Sequence, residues 1–189
     1  MNKTIRSIPE LGQTSSGEIH ANISLRLSSY NDIFSSFDPR PHSERALSID
    51  FIQEAERASI DKTFEQLELR LMIPRKHRNN DQETAITKRL KTHFARHQTK
   101  IIQERSKIIK KGAFFSFVGL CIMLLASFIS FTYANKTLFS SFLLVFLEPA
   151  GWFLLWEGMY QIVFEAEHTK PKLDFYKKMT NSNVIFISY

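Results

Sequence analysis

Between Gly112 and Ala134 the chain reads GAFFSFVGLCIMLLASFISFTYA, 23 residues without a charged side chain. A bilayer core of ~30 Å is crossed by about 20 apolar residues in a helix. The competing explanation is a buried core helix, but a chain of 189 residues is too small to surround 23 such residues on every side. A first membrane span is therefore expected over 112–134. After the polar break Asn135-Lys136-Thr137 a second apolar run occupies 138–164, interrupted by Glu148, Pro149, Glu157 and Gln161. So short a connection predicts a helical hairpin, since backbone in lipid must satisfy its hydrogen bonds internally. A cleaved signal peptide would sit at the extreme N-terminus, so the run at 112 is not one.

The flanks of the two runs set an orientation. Lys107, Lys110 and Lys111 precede the first, Lys170, Lys172, Lys177 and Lys178 follow the second, and the turn holds only Lys136. The positive-inside rule then places both termini in the cytoplasm, leaving a cytoplasmic domain of about 110 residues on a two-span anchor. Charge is also unevenly spread. Residues 1–74 carry 8 Lys+Arg and 11 Asp+Glu, residues 75–111 carry 12 and 3, and residues 112–189 carry 5 of each. The overall charge of +6 thus belongs to one stretch. The single cysteine excludes an intramolecular disulfide and a multi-cysteine zinc site.

Periodicity gives the cytoplasmic domain an α+β class. Residues 1–17 lack sustained periodicity and are expected to be a mobile tail, with an α/β domain over 18–80. Ile19, Ala21, Ile23, Leu25 and Leu27 alternate with polar residues, and Leu67, Leu69, Leu71 and Ile73 alternate with Glu68, Arg70 and Met72, the period-2 pattern of half-buried strands. Between them Pro39 and Pro41 make a rigid connector, and Ser48 can cap a helix whose inner face is Phe51, Ile52, Ala55 and Ala58. That order predicts a β-α-β unit with a parallel strand pair. The C-terminal segment 165–189 is expected to be cytoplasmic and to end in a third strand over 184–189, added to this sheet or to a neighbouring subunit's. Asp81 is expected to cap a basic linking helix over 81–111 that runs on into the first span. Its stripe of Ile86, Leu90, Phe94, His97, Ile101, Arg105 and Ile108 suits either a coiled-coil partner or packing on the sheet.

No P-loop, dinucleotide-binding glycine pattern, nucleophile elbow or zinc-protease motif occurs, and no enzyme is expected. His93 and His97 stand four apart on the predicted helix, but no carboxylate or Cys is close enough in sequence to complete a metal site. No metal or cofactor is expected. His42, Glu44 and Arg45 look like a capping and salt-bridge cluster. Two features do point to function. Arg75, Lys76, His77 and Arg78 form a basic loop too far upstream of the first span to be a headgroup contact on an upright helix, and Lys88, Arg89 and Lys91 follow on the next helix. Such a patch suits an acidic ligand, a nucleotide or nucleic acid. Glu148, beside Pro149 and eleven residues into the second run, is costly in lipid and belongs against a bundle interior or a water-filled path. Ser127, Ser130 and Ser141 could share that path.

The segment FDPRPHSERAL (Phe37–Leu47), the long helix feeding the first span and EPAGW (Glu148–Trp152) give the chain a layout over residues 18–165 that resembles the small two-helix transmembrane effectors of bacterial anti-phage defence, the Hailong type partnered by a nucleotidyltransferase. The resemblance implies an oligomeric ion channel in the bacterial inner membrane. Its cytoplasmic part would sense an oligonucleotide or single-stranded nucleic acid made by the partner enzyme, and its opening would depolarise the cell. Two helices cannot enclose a pore, so several copies are required, and a tetramer is expected. The alternative from another class is a non-conducting membrane adaptor that docks a cytoplasmic protein.

Overall fold

The structure, a computed structural model, describes residues 21–60, 67–133 and 137–189. The tail expected at 1–17, the start of the first strand at Ile19 and most of the turn at 135–137 lie outside the described residues. In chain order the elements are β1 (Ala21–Arg26), α1 (Ile49–Ser59), β2 (Leu67–Ile73), α2 (Asn80–Tyr133), α3 (Leu138–Tyr160), α4 (Ala166–His168), α5 (Lys170–Asn181) and β3 (Asn183–Ser188). A five-residue π turn, Gln161–Glu165, separates α3 from α4. The protein is a mixed α+β chain, mostly helical, and divides into two compact units, Met1–Thr99 with Leu173–Tyr189, and Lys100–Lys172.

The first unit is built on a three-stranded sheet in the order β1-β2-β3, parallel throughout. Ile23 pairs with Leu69, which pairs with Val184, and Leu25 with Leu71, which pairs with Phe186. Alternation puts Ile23, Leu25, Leu27, Leu67, Leu69, Leu71 and Ile73 on one face, all fully buried. Phe51 and Ala55 of α1, Ile86, Leu90 and Phe94 of α2, and Phe175, Tyr176 and Met179 of α5 complete the core. Each such aliphatic or aromatic side chain contributes roughly 1.5–3 kcal/mol by leaving water. The stripe on α2 is therefore spent, through Phe94, inside its own unit and is not available there to a coiled-coil partner. The C-terminal strand likewise pairs with β2 of its own chain.

Local chemistry departs from expectation at two points. The residue that caps α2 is Asn79 and not Asp81, its Oδ1 accepting the backbone N–H of Asp81 at 3.0 Å and of Gln82 at 3.2 Å. α5 was not anticipated between the second apolar run and the C-terminal strand. It brings residues 173–189 back to the first unit, so that unit is discontinuous in sequence.

The second unit is a helical hairpin of α2, from Lys100 onward, and α3. Both helices are long and apolar enough to cross a membrane. They touch through small residues. A Cβ on Gly119 would lie 2.5 Å from the backbone nitrogen of Leu155 and 2.8 Å from the Gly151 carbonyl oxygen, and one on Gly158 would run into Ser116 and the Gly112 carbonyl. Only glycine permits so close a backbone approach. The outer surface is correspondingly apolar: Phe117, Phe128, Phe131, Phe139, Phe142 and Phe153 are all more than 60% exposed.

Candidate functional site

In the first unit the basic patch begins where β2 ends. Pro74 terminates the strand, Arg75–His77 form one 3-10 turn, and the chain enters α2. Arg75, Lys76 and His77 are exposed, and their side chains have no hydrogen-bond or ion-pair partner among the described residues. Arg78 behaves differently. Its guanidinium forks onto Glu83, Nε to Oε1 and Nη2 to Oε2, both at 2.9 Å. Tyr30, from the 3-10 turn after β1, donates its hydroxyl to Glu83 Oε1 at 2.8 Å and accepts the N–H of Asn79 at 2.9 Å. The Arg78 fork holds the Glu83 carboxyl below its usual range despite burial, and burial raises the Tyr30 phenol. This network fastens the start of α2 to the sheet, so Arg78 carries a structural duty.

Lys88 and Lys91 are exposed on α2 and line a groove of about 730 Å³ together with Arg78, Asn80, Glu83, Thr84, Thr87, Thr92 and residues Val184–Phe186 of β3. Thr84, Thr87 and Thr92 each donate their hydroxyl to the carbonyl four residues earlier. They therefore face the groove as acceptors, and the lysines supply the donors. Arg89 is turned away from it. Its Nε donates to the Arg45 carbonyl at 3.0 Å, which ties α2 to the loop before α1. Of the seven residues the sequence nominates, the structure gathers Arg78, Lys88 and Lys91 around this groove. Arg75, Lys76, His77 and Arg89 are not among its lining residues.

The loop from Phe34 to Leu47 also differs from expectation. His42, Glu44 and Arg45 do not pair with one another. The ion pair is Asp38–Arg40; Asp38 also accepts the N–H groups of Arg40 and Ala46, and the Arg40 guanidinium, then the Ala46 N–H, hold it far below the ordinary carboxylate range. Arg45 donates to the Ser35 carbonyl and to Asn31. His42 stacks on Phe34 at 5.0 Å, and burial, with Arg45 near, lowers its pKa. On α2, His93 and His97 lie ring to ring at 4.3 Å, with His97 stacked on Tyr176 of α5. Burial first, then His97 and Arg89, push His93 down to about 4, so it is neutral near pH 7.

In the second unit, Glu148, Pro149, Ser127 and Ser130 line one cleft of about 870 Å³, with Met123, Ala126, Phe131 and Trp152 as its apolar walls. Both arms of the hairpin, α2 and α3, contribute these residues. Pro149 lies within α3 without ending it and removes the N–H that would have met the Val145 carbonyl. Ser141 belongs elsewhere: its backbone and hydroxyl donate to the carbonyl of Thr137, the residue that caps α3. Trp152 and Trp156 lie parallel, 5.8 Å apart and both exposed. Gln161, one of the polar interruptions of the second run, is buried and donates to Glu157 Oε1 at 2.8 Å where α3 gives way to the π turn, a pairing the sequence reading does not draw. The i, i+4 spacing of the two was its only sequence signal.

No protein-family model, curated protein or solved structure matches this chain. The groove and the cleft therefore carry the functional conclusion by their own chemistry.

Proposed function

We propose that this protein is the subunit of a membrane-embedded oligomer that conducts ions past Glu148 and is controlled by an acidic ligand bound to the basic face of its sheet unit. The observation that carries the reading is the distribution of polarity on the hairpin. Within 113–131 and 138–156 the one carboxylate is Glu148, and it shares a single cleft with Ser127 and Ser130 while large apolar side chains cover the surface around it. In lipid, an apolar exterior is favourable and a carboxylate is costly unless it meets water or a neighbouring subunit. Several copies turned so that their clefts face a common axis satisfy both demands, with a ring of carboxylates attracting cations. Two helices per chain make the oligomer a requirement, and four copies is the number we favour.

For the ligand, Arg75, Lys76, Lys88 and Lys91, which have no ion-pair partner among the described residues, supply phosphate-binding charge on an exposed surface with His77 beside them, and a short oligonucleotide suits them. α2 is the helix common to both units and is the natural carrier of a gating change. The layout agrees with an anti-phage effector held in the bacterial inner membrane with both termini cytoplasmic.

The test is membrane potential, read with a voltage-sensitive dye in bacteria expressing the chain with and without its neighbouring gene. Depolarisation is expected, reduced at least tenfold in extent or rate by Glu148→Gln and changed in its ligand response by Lys88→Glu with Lys91→Glu. An unchanged potential in every case, with the protein verified in the membrane, would leave a non-conducting adaptor as the better account.

A further inference from the structure

The cleft that holds Glu148 is formed by two facing stripes of side chains. α2 contributes Met123, Ser127 and Ser130 at i, i+4 and i+7, with Phe131 beside them, and α3 contributes Glu148 and Trp152 at i and i+4. Glu148 is exposed and forms no ion pair among the described residues. Neither apolar run can give it a counter-ion, because no Lys, Arg or His occurs within 113–131 or 138–156. A carboxylate so placed attracts a cation. The walls of the cleft select which kind.

Magnesium and calcium ions take about six to eight oxygen ligands. The side chains of the cleft offer oxygen only from Glu148, Ser127 and Ser130, and the other walls are thioether, methyl, pyrrolidine and aromatic carbon. A hydrated metal ion would leave those walls unused, whereas a cation clothed in carbon meets both the charge and the walls. The tryptophans strengthen the choice. Trp152 and Trp156 stack with ring planes 2° from parallel and centroids 5.8 Å apart. Along the ridge Glu148, Trp152, Trp156 the first indole stands between the carboxylate and the second, so one of its faces is taken by Trp156 and the other lies on the Glu148 side. An indole face attracts cations, and quaternary ammonium groups are the ions that aromatic faces recognise best. The volume, about 870 Å³, is that of a small-molecule site.

We propose that this cleft is a binding site for hydrophobic organic cations of the quaternary ammonium type. The charge lies between the Glu148 carboxylate and the Trp152 face, and the alkyl groups cover Met123 and Phe131. Binding stands on the geometry of the hairpin alone. Its consequence, that a bound ammonium ion blocks conduction by occupying the path, rests on the channel reading above.

The chain has two tryptophans, both in this ridge, so their emission reports the site directly. The experiment titrates the full chain in non-ionic detergent with tetrabutylammonium chloride, with sodium chloride holding the ionic strength constant. A saturable change in emission is expected from the wild type and from Trp156→Phe, with most of it lost in Trp152→Phe. Glu148→Gln, which keeps the shape of the side chain, should weaken binding at least tenfold with unchanged far-UV circular dichroism. A second comparison needs no variant: tetramethylammonium should bind the wild type at least tenfold more weakly, because it leaves the apolar walls uncovered. No saturable change, equal affinity in wild type and Glu148→Gln, or equal affinity for the two ammonium ions overturns the site. In proteoliposomes, ion flux should be blocked over the same tetrabutylammonium range, and flux unaffected by a saturating concentration overturns the block. Binding to a wild-type chain that conducts nothing sinks the channel reading and leaves the site. Flux abolished by Glu148→Gln with no binding to the wild type sinks the site and leaves the channel.

Discussion

The two units of this protein are inside-out versions of each other. In the sheet unit Phe51 and Phe94 are sealed in the core, and the lysines and arginines face outward. In the hairpin unit Phe117, Phe128 and Phe153 face outward, glycines form the seam, and the carboxylate sits in a cleft. Apolar burial stabilises a fold against water, and the sheet unit is built in that way. The hairpin joins its helices by close backbone packing, the mode expected of helices whose surroundings are as apolar as their side chains.

The sharpest way to break the comparison is one substitution made in both units. Phe94→Ala should cost about 3–5 kcal/mol in the sheet unit by opening a cavity. Phe128→Ala, at 64% exposure, should stay within about 0.5 kcal/mol. Thermal unfolding of the solubilised chain followed by circular dichroism measures both, and equal losses would erase the distinction. Next in size, Gly158→Val should disrupt the hairpin seam by about 1–3 kcal/mol, because the new methyl groups meet Ser116 and the Gly112 carbonyl. Protease protection of the hairpin in membranes should fall for this variant.

Smaller effects sharpen the account of the sheet unit. Glu83→Gln should cost about 1–3 kcal/mol by breaking the Arg78 fork and weakening the Tyr30 bond. Its pH dependence has a defined sign. The folded-state pKa of Glu83 lies below the ordinary value of 4.5, so its contribution is complete above that value and is lost as pH falls through the folded pKa. The variant should lose that acid-limb slope. Asn79→Ala should be the mildest, about 1 kcal/mol, by removing the cap from α2.

Sequence pattern made the strands and the apolar runs legible because each is a local periodicity. Leu67 to Ile73 alternates apart from Met72, and the structure buries every second residue there. Glu148 stood out for a similar reason, as a lone carboxylate in apolar surroundings. What stayed hidden depends on contacts distant in sequence. Arg78 looked like a free cation because its rigid bond to Glu83 is completed by Tyr30, 53 residues before Glu83. The helix at Lys170–Asn181 was obscured by its four lysines, although Phe175, Tyr176 and Met179 already marked its inner face. Ser141 was grouped with Ser127 and Ser130 by composition, but its place one turn into α3 commits it to the Thr137 carbonyl.

If Glu148 lines a conduction path, its cleft is wet while the surface around it is greasy. In a Cys121→Ser background, Ser130→Cys and Phe128→Cys can be compared in intact membranes by their rate of reaction with a charged, water-soluble thiol reagent. The expected result is that the cysteine at 130 reacts at least tenfold faster than the one at 128. Equal rates at the two positions would contradict it.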